Sequence, residues 1–340
     1  MSTSVNLSTL SAEDRRQLKI LYLARFAPND VEDKIAPVDT KHGIFSTYHY
    51  DLFHELCKLD LDVTPSRSVD HLIAQNRRYN YVFSVLNRAS YRNSESLVSS
   101  VCEYLGLAYL GAPPHVRSLA EDKHLAKTLF RACGIPTPEW MVQRHKNISQ
   151  PSIEFEGPYF VKPRFGAASE LISESSIQER KAGAIEQVRW LHEQGEDALV
   201  EQYVSGENVS LGVLQAERPI LLPCTIDNSD LAGGVVTYGQ KRMVDGGFQR
   251  SLFEHNPTIL KMQEICNRIL VNASPMDYFR ADFRVCKKTN TVSCLEFNIC
   301  CNLGRHASIA IASKMIGISY SALLEHILSV SLRRQNILRN

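Results

Sequence analysis

Phe279-Arg280-Ala281-Asp282-Phe283-Arg284-Val285, a turn at Lys287-Lys288-Thr289-Asn290, and Val292-Ser293-Cys294-Leu295-Glu296-Phe297-Asn298 decide how this chain reads. In the first stretch apolar and charged residues alternate strictly, as in a half-buried strand. With the turn centred on Thr289, Asp282 faces Glu296 and Arg280 faces Asn298. All four side chains then share one face, because strand side chains repeat every second residue. Two directly opposed carboxylates lie about 4.5–5.5 Å apart at Cβ and repel. The repulsion is about 1 kcal/mol in water and several times that in a protein-like dielectric. A divalent cation between them turns the penalty into binding, and Asp, Glu and Asn oxygens suit Mg²⁺ carrying phosphates. The competing reading is a solvated hairpin whose carboxylates pair with Arg280 and Arg284. On the pairing alone that reading weighs slightly more, since a slip of one residue removes the facing pair.

The rest of the chain sets the frame. It has 340 residues, with 38 Lys plus Arg against 37 Asp plus Glu, a formal charge of +1; 44% are hydrophobic and 22% charged. These globular values exclude a disordered, collagen-like or coiled-coil chain. At roughly 100–200 residues per domain, two or three domains are expected. The balanced charge excludes a strong overall field for nucleic acid or anionic lipid. No apolar run approaches the roughly 20 residues that span a bilayer. Residues 1–18 are polar and lack a signal-peptide core, so a cytoplasmic location is expected. Nine cysteines have no framework spacing, and most (Cys57, Cys102, Cys133, Cys266, Cys286, Cys294) sit in apolar runs. They read as reduced core thiols.

Lys19 to Ala24 reads as a buried parallel strand. Residues 25–43 are irregular, broken by Pro28, Pro37 and Gly43. A helix is expected over 48–58, a strand over 81–86 and a helix from Ser94 to Leu105, closed by Gly106. This alternation predicts a parallel, doubly wound first domain. Ser118 and Glu121 form a Ser-x-x-Glu capping box ahead of a stripe at Ala126, Leu129, Phe130 and Cys133, and Gly134 with Pro136 and Pro138 ends that helix. Residues 145–157 read as a polar connector. Strands are expected at 159–161, 198–204 and 209–214, and helices over 176–194, 257–271 and 318–333. Residues 227–250, rich in Gly and polar residues, read as a long loop.

Lys162 is the second chemical feature. It ends an apolar strand and precedes Pro163, Arg164, Phe165 and the small residues Gly166, Ala167, Ala168 and Ser169. A lysine there can neutralise phosphate while backbone N–H groups cradle oxygens. By itself a surface lysine at a strand end is the weightier reading. There is no Walker-type phosphate loop, no Gly-x-Gly-x-x-Gly after a strand, no zinc spacing and no nucleophile elbow. Arg305-His306 is a candidate anion clamp.

Taken in order, these pieces resemble the ATP-grasp carboxylate–amine ligases, closest to the D-alanine–D-alanine ligase group. The resemblance is carried by YLGAPPHVRSLAEDKHLAKTLFRACGIPTPEW (109–140), PYFVKPRFGAASELIS (158–173), ALVEQYVSGENVSLGVL (198–214) and FRADFRV (279–285) with CLEFNICCNLG (294–304). It implies an α/β, more fully α+β, ATP-grasp fold in three domains: a doubly wound domain over 1–110, a small ATP-binding lobe over 111–206 and a lobe with the metal site over 207–340. It also implies that Lys123 and Lys162 hold phosphate and that Gly166, Ala167 and Ser169 belong to a lid. Glu201, Gln202, Tyr203 and Val204 match the hinge that receives adenine, the Glu201 carboxylate accepting the amino group. Glu207 or Asn208 falls at the ribose position. Asp282, Glu296 and Asn298 match the metal ligands. Of the catalytic candidates, Arg280 matches the arginine that steadies the transferred phosphate and the tetrahedral intermediate, and Lys241, in the long loop, the neighbourhood of the third phosphate lysine.

The implied reaction uses ATP and Mg²⁺, with Mn²⁺ as a substitute, to activate a small-molecule carboxylate as an acyl phosphate that an amine attacks. Loop closure keeps water away. No nucleic-acid or membrane partner is expected, and a homodimer is the family's suggestion. Departures lie on the acceptor side. The family's Gly-Gly-x-Ser-x-Glu-like loop after the first strand is replaced by Arg25-Phe26-Ala27-Pro28-Asn29-Asp30, a lid serine by Ala168, and the segment after Asn298 is lengthened. The expectation is therefore a ligase for substrates other than D-Ala-D-Ala. The alternatives are a D-alanine–D-alanine ligase with a divergent loop and an inactive ATP-binding scaffold or sensor.

Overall fold

A computed structural model describes residues 5–36, 45–87, 94–145, 151–166, 169–228, 249–286 and 288–338. The strands fall into three sheets in chain order. The first holds β1 (Lys19–Leu23), β2 (Asp62–Ser66), β3 (Tyr81–Ser84) and β4 (Ala108–Tyr109), all parallel, in the order β2-β1-β3-β4. The second holds β5 (Trp140–Gln143), β6 (Tyr159–Pro163), β7 (Ile177–Gln178) and β8 (Ala198–Gln202), antiparallel in the order β5-β8-β6-β7. The third holds β9 (Glu207–Leu214), β10 (Ile220–Leu221), β11 (Thr225–Asn228), β12 (Gln249–Leu252), β13 (Tyr278–Val285) and β14 (Val292–Asn298). Its order is β12-β11-β9-β13-β14, with β10 paired to β9.

Ten helices accompany them among the described residues: α1 (Ala12–Gln17), α2 (Phe45–Cys57), α3 (Val69–Gln75), α4 (Leu97–Leu105), α5 (Pro114–Glu121), α6 (Lys123–Ala132), α7 (Lys181–Glu193), α8 (Asn256–Ala273), α9 (Ser308–Met315) and α10 (Tyr320–Arg334). The first sheet is covered on both faces, as its apolar strands require. Ile20, Tyr22, Tyr81 and Phe83 pack towards α2 and α10, while Leu21, Leu23 and Val82 pack against α4 residues. Each fully buried side chain of this kind contributes roughly 1.5–3 kcal/mol before entropy is counted. The C-terminal helix thus completes the N-terminal sheet, and Tyr81 Oη donates to Ser331 Oγ at 2.7 Å. The third sheet packs on α5, α6 and α8, the second on α7.

Several expectations need correction. The Ser118–Glu121 box does not cap a helix. Ser118 lies inside α5, and Asp122 is the N-cap of α6, accepting from the His124 and Leu125 amides. Glu121 accepts the Glu95 amide instead. The helix expected over 176–194 starts only at Lys181. A strand and a helix absent from the sequence reading, β5 and α9, precede the polar connector and the last helix. The ends of the 227–250 segment are strands, Asn228 pairing with Gln249, and the residues between them lie outside the described ones. Cys102, Cys266 and Cys294 are buried free thiols, but Cys57, Cys133 and Cys286 are only half-buried. No single helix among the described residues is long and apolar enough to cross a membrane. Only α9 and α10 together pass that test, bent by 111°.

The hairpin keeps the expected pairs, Asp282 with Glu296 and Arg280 with Asn298, but for an unexpected reason. Beyond Asp282 the register shifts, so Phe283 pairs with Cys294, and Leu295 is the extra residue of a β-bulge. Val292, Cys294 and Phe297 face the core, whereas Ser293, Leu295, Glu296 and Asn298 are half-exposed. A bulge sets two successive residues against one, and here it restores the acidic pair that the turn-side register would have separated.

One buried group makes the fold pH-sensitive. His49 on α2 accepts the Phe26 amide through Nδ1 at 3.3 Å. Burial, helped by Arg25, lowers its pKa to about 4 from an ordinary 6.5. The unfolded chain therefore takes up a proton near pH 6.5 and the folded chain only near 4, so stability drains away as pH falls through that window. Urea denaturation at pH 7 and 4.5 should show a loss of about 2–3 kcal/mol from this group. His49→Asn should flatten that part of the profile; an unchanged profile would remove His49 as its source.

Candidate active site

Residues of the second and third sheets line one cleft. Lys123, Lys162, Gly166, Ser169, Glu201, Gln202, Tyr203, Val204, Asn208, Arg280, Asp282, Glu296 and Asn298 all line it. Most residues singled out in the sequence therefore converge. Glu207 opens β9 but is not part of the lining, Ala167 and Lys241 lie outside the described residues, and Arg305 and His306 are elsewhere.

The part of the cleft that carries Lys123 and Lys162 is assembled around Asp122. Its carboxylate caps α6 and receives two hydrogen bonds from Arg164, at 2.9 and 2.6 Å. Arg164 also lies 3.6 Å from Asp197. The hydrogen bonds to Asp122 lead in raising its guanidinium pKa, against burial. This clamp joins the end of β6, which carries Lys162, to the first turn of α6, which carries Lys123. Lys123 donates through Nζ to the Gly166 carbonyl and through its amide to the Arg164 carbonyl. Gly166 has φ +86, a left-handed conformation that favours glycine.

A charged triad is buried beside the cleft. Glu201 is buried on β8, with Lys162 Nζ 2.6 Å from Oε1 and Lys127 Nζ 2.9 Å from Oε2. Burial opposes the carboxylate charge, but the two lysines outweigh it and hold the pKa below the ordinary value. Burial lowers the Lys127 pKa despite Glu201. At the hinge the Gln202 and Tyr203 amides donate to Glu139 and Pro158 carbonyls. The chain then turns at Gly206, where φ is +153 and a Cβ would sit 2.2 Å from the Val285 carbonyl oxygen. Arg284 donates to the Gly206 carbonyl at 2.7 Å and lies 5.5 Å from the Tyr203 ring.

At the acidic end, Arg280 grips both oxygens of Asp282, at 2.7 and 2.6 Å. Ser210, its register partner on β9, donates to Oδ1 at 2.8 Å, and Asn298 donates to Oδ2 at 2.9 Å. The competing sequence reading was therefore right about Arg280 as the partner of Asp282, whereas Arg284 turns to the hinge. Among the described residues no group of three or more His, Cys, Asp or Glu side chains forms a metal cluster. The donor set here is two opposed carboxylates and an amide, hard oxygens that fit Mg²⁺ rather than zinc.

Arg305 does not reach the cleft. It pairs with Glu55 at 2.5 Å and stacks over Tyr320 at 4.3 Å. The His306 side chain is exposed, while its carbonyl accepts from Arg250 at 2.6 Å. Sequence reasoning missed Lys127, Asp122, Arg164 and Ser210, and set Arg284 on a carboxylate where the structure sets it on the Gly206 carbonyl. Only Lys127 left a local signal, standing four residues after Lys123 on the same helix face.

This architecture is the ATP-grasp fold. A D-alanine–D-alanine ligase from Bacillus anthracis, solved in complex with ATP, superposes with a TM-score of 0.71 at 16% identity, covering 94% of this chain and 99% of that one. The D-alanine–D-alanine ligase from Coxiella burnetii gives 0.66 at 16%, covering 94% and 97%. Residues 129–329 match the family described as D-ala D-ala ligase C-terminus, and the chain belongs to that family of ATP-dependent carbon–nitrogen ligases. Among curated relatives, the D-alanine–D-alanine ligase of Maridesulfovibrio salexigens is 26% identical over 74% of this chain and 82% of its own length. That of Aquifex aeolicus is 26% identical over 83% and 88%.

Arg164→Gln should test the clamp. It removes both bonds to buried Asp122, and a buried acceptor left short of partners costs about 1–3 kcal/mol. Chemical denaturation should show that loss, whereas Arg268→Gln, which breaks an exposed pair with Glu264, should cost less than about 1 kcal/mol. Equal losses would deny Arg164 a special role.

Proposed function

We propose that the chain joins a small-molecule carboxylate to an amine, spending ATP through an acyl phosphate, on amino-acid-like substrates other than two D-alanines. The observation that carries this reading is the facing pair Asp282 and Glu296, set in one cleft with Lys123 and Lys162. The substrate carboxylate attacks the γ-phosphorus and ADP leaves. The amine nitrogen then attacks the acyl carbon, phosphate leaves from the tetrahedral oxyanion, and the nitrogen gives up a proton. Catalysis of this kind is mainly positioning and charge neutralisation.

Asp282, Glu296 and the Asn298 amide oxygen would hold Mg²⁺, with Mn²⁺ as a substitute, which when bound neutralises phosphate charge. Arg280 then turns from Asp282 towards the transferred phosphate. Lys123 and Lys162 exchange the Gly166 carbonyl and Glu201 for phosphate oxygens. Glu201, Gln202, Tyr203 and Val204 form the edge for the base, with Asn208 nearer the ribose than Glu207. Reliance on ATP agrees with a cytoplasmic setting.

The loop after β1, Arg25 to Asp30, favours the departure from D-alanine, since it lacks the acidic pattern that would meet an ammonium group. A second reading, D-alanine–D-alanine ligase itself, is favoured by the names of the curated relatives. Phosphate release from ATP with pooled amino acids separates them. Release should require the pool and fall about a hundredfold or more in Asp282→Asn. Full activity with D-alanine alone would establish the second reading, and nucleotide binding without turnover on any pool would sink both.

A further inference from the structure

We infer that Lys127 is a positioning residue for nucleotide binding: it holds the Glu201 carboxylate so that Lys162 is free to leave it for a phosphate. The inference rests on the nucleotide reading of the cleft and adds a residue to it. Lys123 and Lys127 stand one turn apart on α6, the first at the cleft wall and the second inside the lobe. The Lys127 side chain is 0% exposed and does not line the cleft. Its ammonium has three fixed neighbours: Glu201 Oε2 at 2.9 Å, Thr137 Oγ1 at 2.7 Å and the Trp140 ring at 5.6 Å. It cannot turn to a ligand without breaking all three. Lys162 is different. It shares the same carboxylate through Oε1 but borders the cleft.

Two buried cations therefore serve one buried anion, leaving a net charge of +1 beside the cleft. The asymmetry assigns the roles. Taking away the sole partner of a buried carboxylate leaves an uncompensated charge, which is strongly unfavourable. With Lys162 alone on Glu201, drawing it to a phosphate would carry that penalty. With Lys127 fixed on the second oxygen, Glu201 stays neutralised when Lys162 moves. Lys127 lies too deep to touch reacting atoms, so its loss should appear in nucleotide affinity rather than in the chemical step.

A thermodynamic cycle tests this, using calorimetric titration of the non-hydrolysable analogue AMP-PNP with Mg²⁺. Lys127→Met should weaken binding about tenfold or more. In a Glu201→Gln background the same substitution should change affinity less than about threefold, because no carboxylate is left to strand. Lys127→Arg should bind like the wild type. Equal losses in the two backgrounds, or unchanged binding in Lys127→Met, would overturn the inference. Should Lys127→Met fail to fold, the comparison of Glu201→Gln with the double variant and the Lys127→Arg result still decide. A wild-type protein that binds no AMP-PNP overturns the ligase reading itself, whereas tight wild-type binding with an additive cycle overturns only the role of Lys127.

Discussion

Everything at the acidic end depends on one inserted residue. Continued unchanged from the turn, the pairing of Phe283 with Cys294 would set Asp282 against Leu295 and Ala281 against Glu296. The two carboxylates would then stand on opposite faces of the sheet, one in the core and one in the cleft. Leu295 absorbs the offset as a bulge, keeping Phe297 and Cys294 in the core while Glu296 and Asn298 remain beside Asp282. The repulsion between the acids is tolerated because β9 brings Ser210 to one side of Asp282 and Arg280 covers both its oxygens. On the central strand β13, Asp282 has a donor on each flank, Ser210 from β9 and Asn298 from β14.

The same logic runs through the cleft. Lys123 rests on the Gly166 carbonyl, Lys162 on Glu201, Arg280 on Asp282 and Arg284 on the Gly206 carbonyl. A polyanion entering here exchanges partners with groups already in place instead of gathering them from solvent. That is the condition under which fixed charges act most strongly, since little reorganisation remains at the moment of reaction. The Arg164–Asp122 clamp extends the idea to the backbone, tying together the two lysine-bearing elements.

Local pattern revealed the parts whose reasons are local. The apolar run of β1, the alternation in β13 and the lysine ending β6 each follow from residues a few positions apart. Where a distant partner decides, the sequence was silent or misleading. Ser118 and Glu121 have the spacing of a capping box, yet Asp122 wins the cap because Arg164, 42 residues away, holds its carboxylate in place. Gly304-Arg305-His306 looked like an anion clamp, but Glu55, 250 positions earlier, takes the arginine. Ser210 could not be found without knowing that β9 lies beside β13, and Lys127 looked like an ordinary helix lysine until Glu201 was seen to face it.

These distant contacts also divide the molecule into two sets that answer to different neighbours. The cleft residues from 122 to 298 are held by α6 and the second and third sheets. Beyond Asn298 the chain also meets the N-terminal unit: Asn87 donates to the Cys300 carbonyl, the Leu303 amide to Tyr48 Oη, and Tyr48 packs so closely on Gly304 that a Cβ there would meet its ring at 2.8 Å. Arg305 is drawn the same way, to Glu55 on α2. The loop after β1, α2 and residues 299–308 thus have contacts of their own, apart from the clamp, the triad and the bulge. That separation leaves the residues from 122 to 298 and those after Asn298 answering to different parts of the chain.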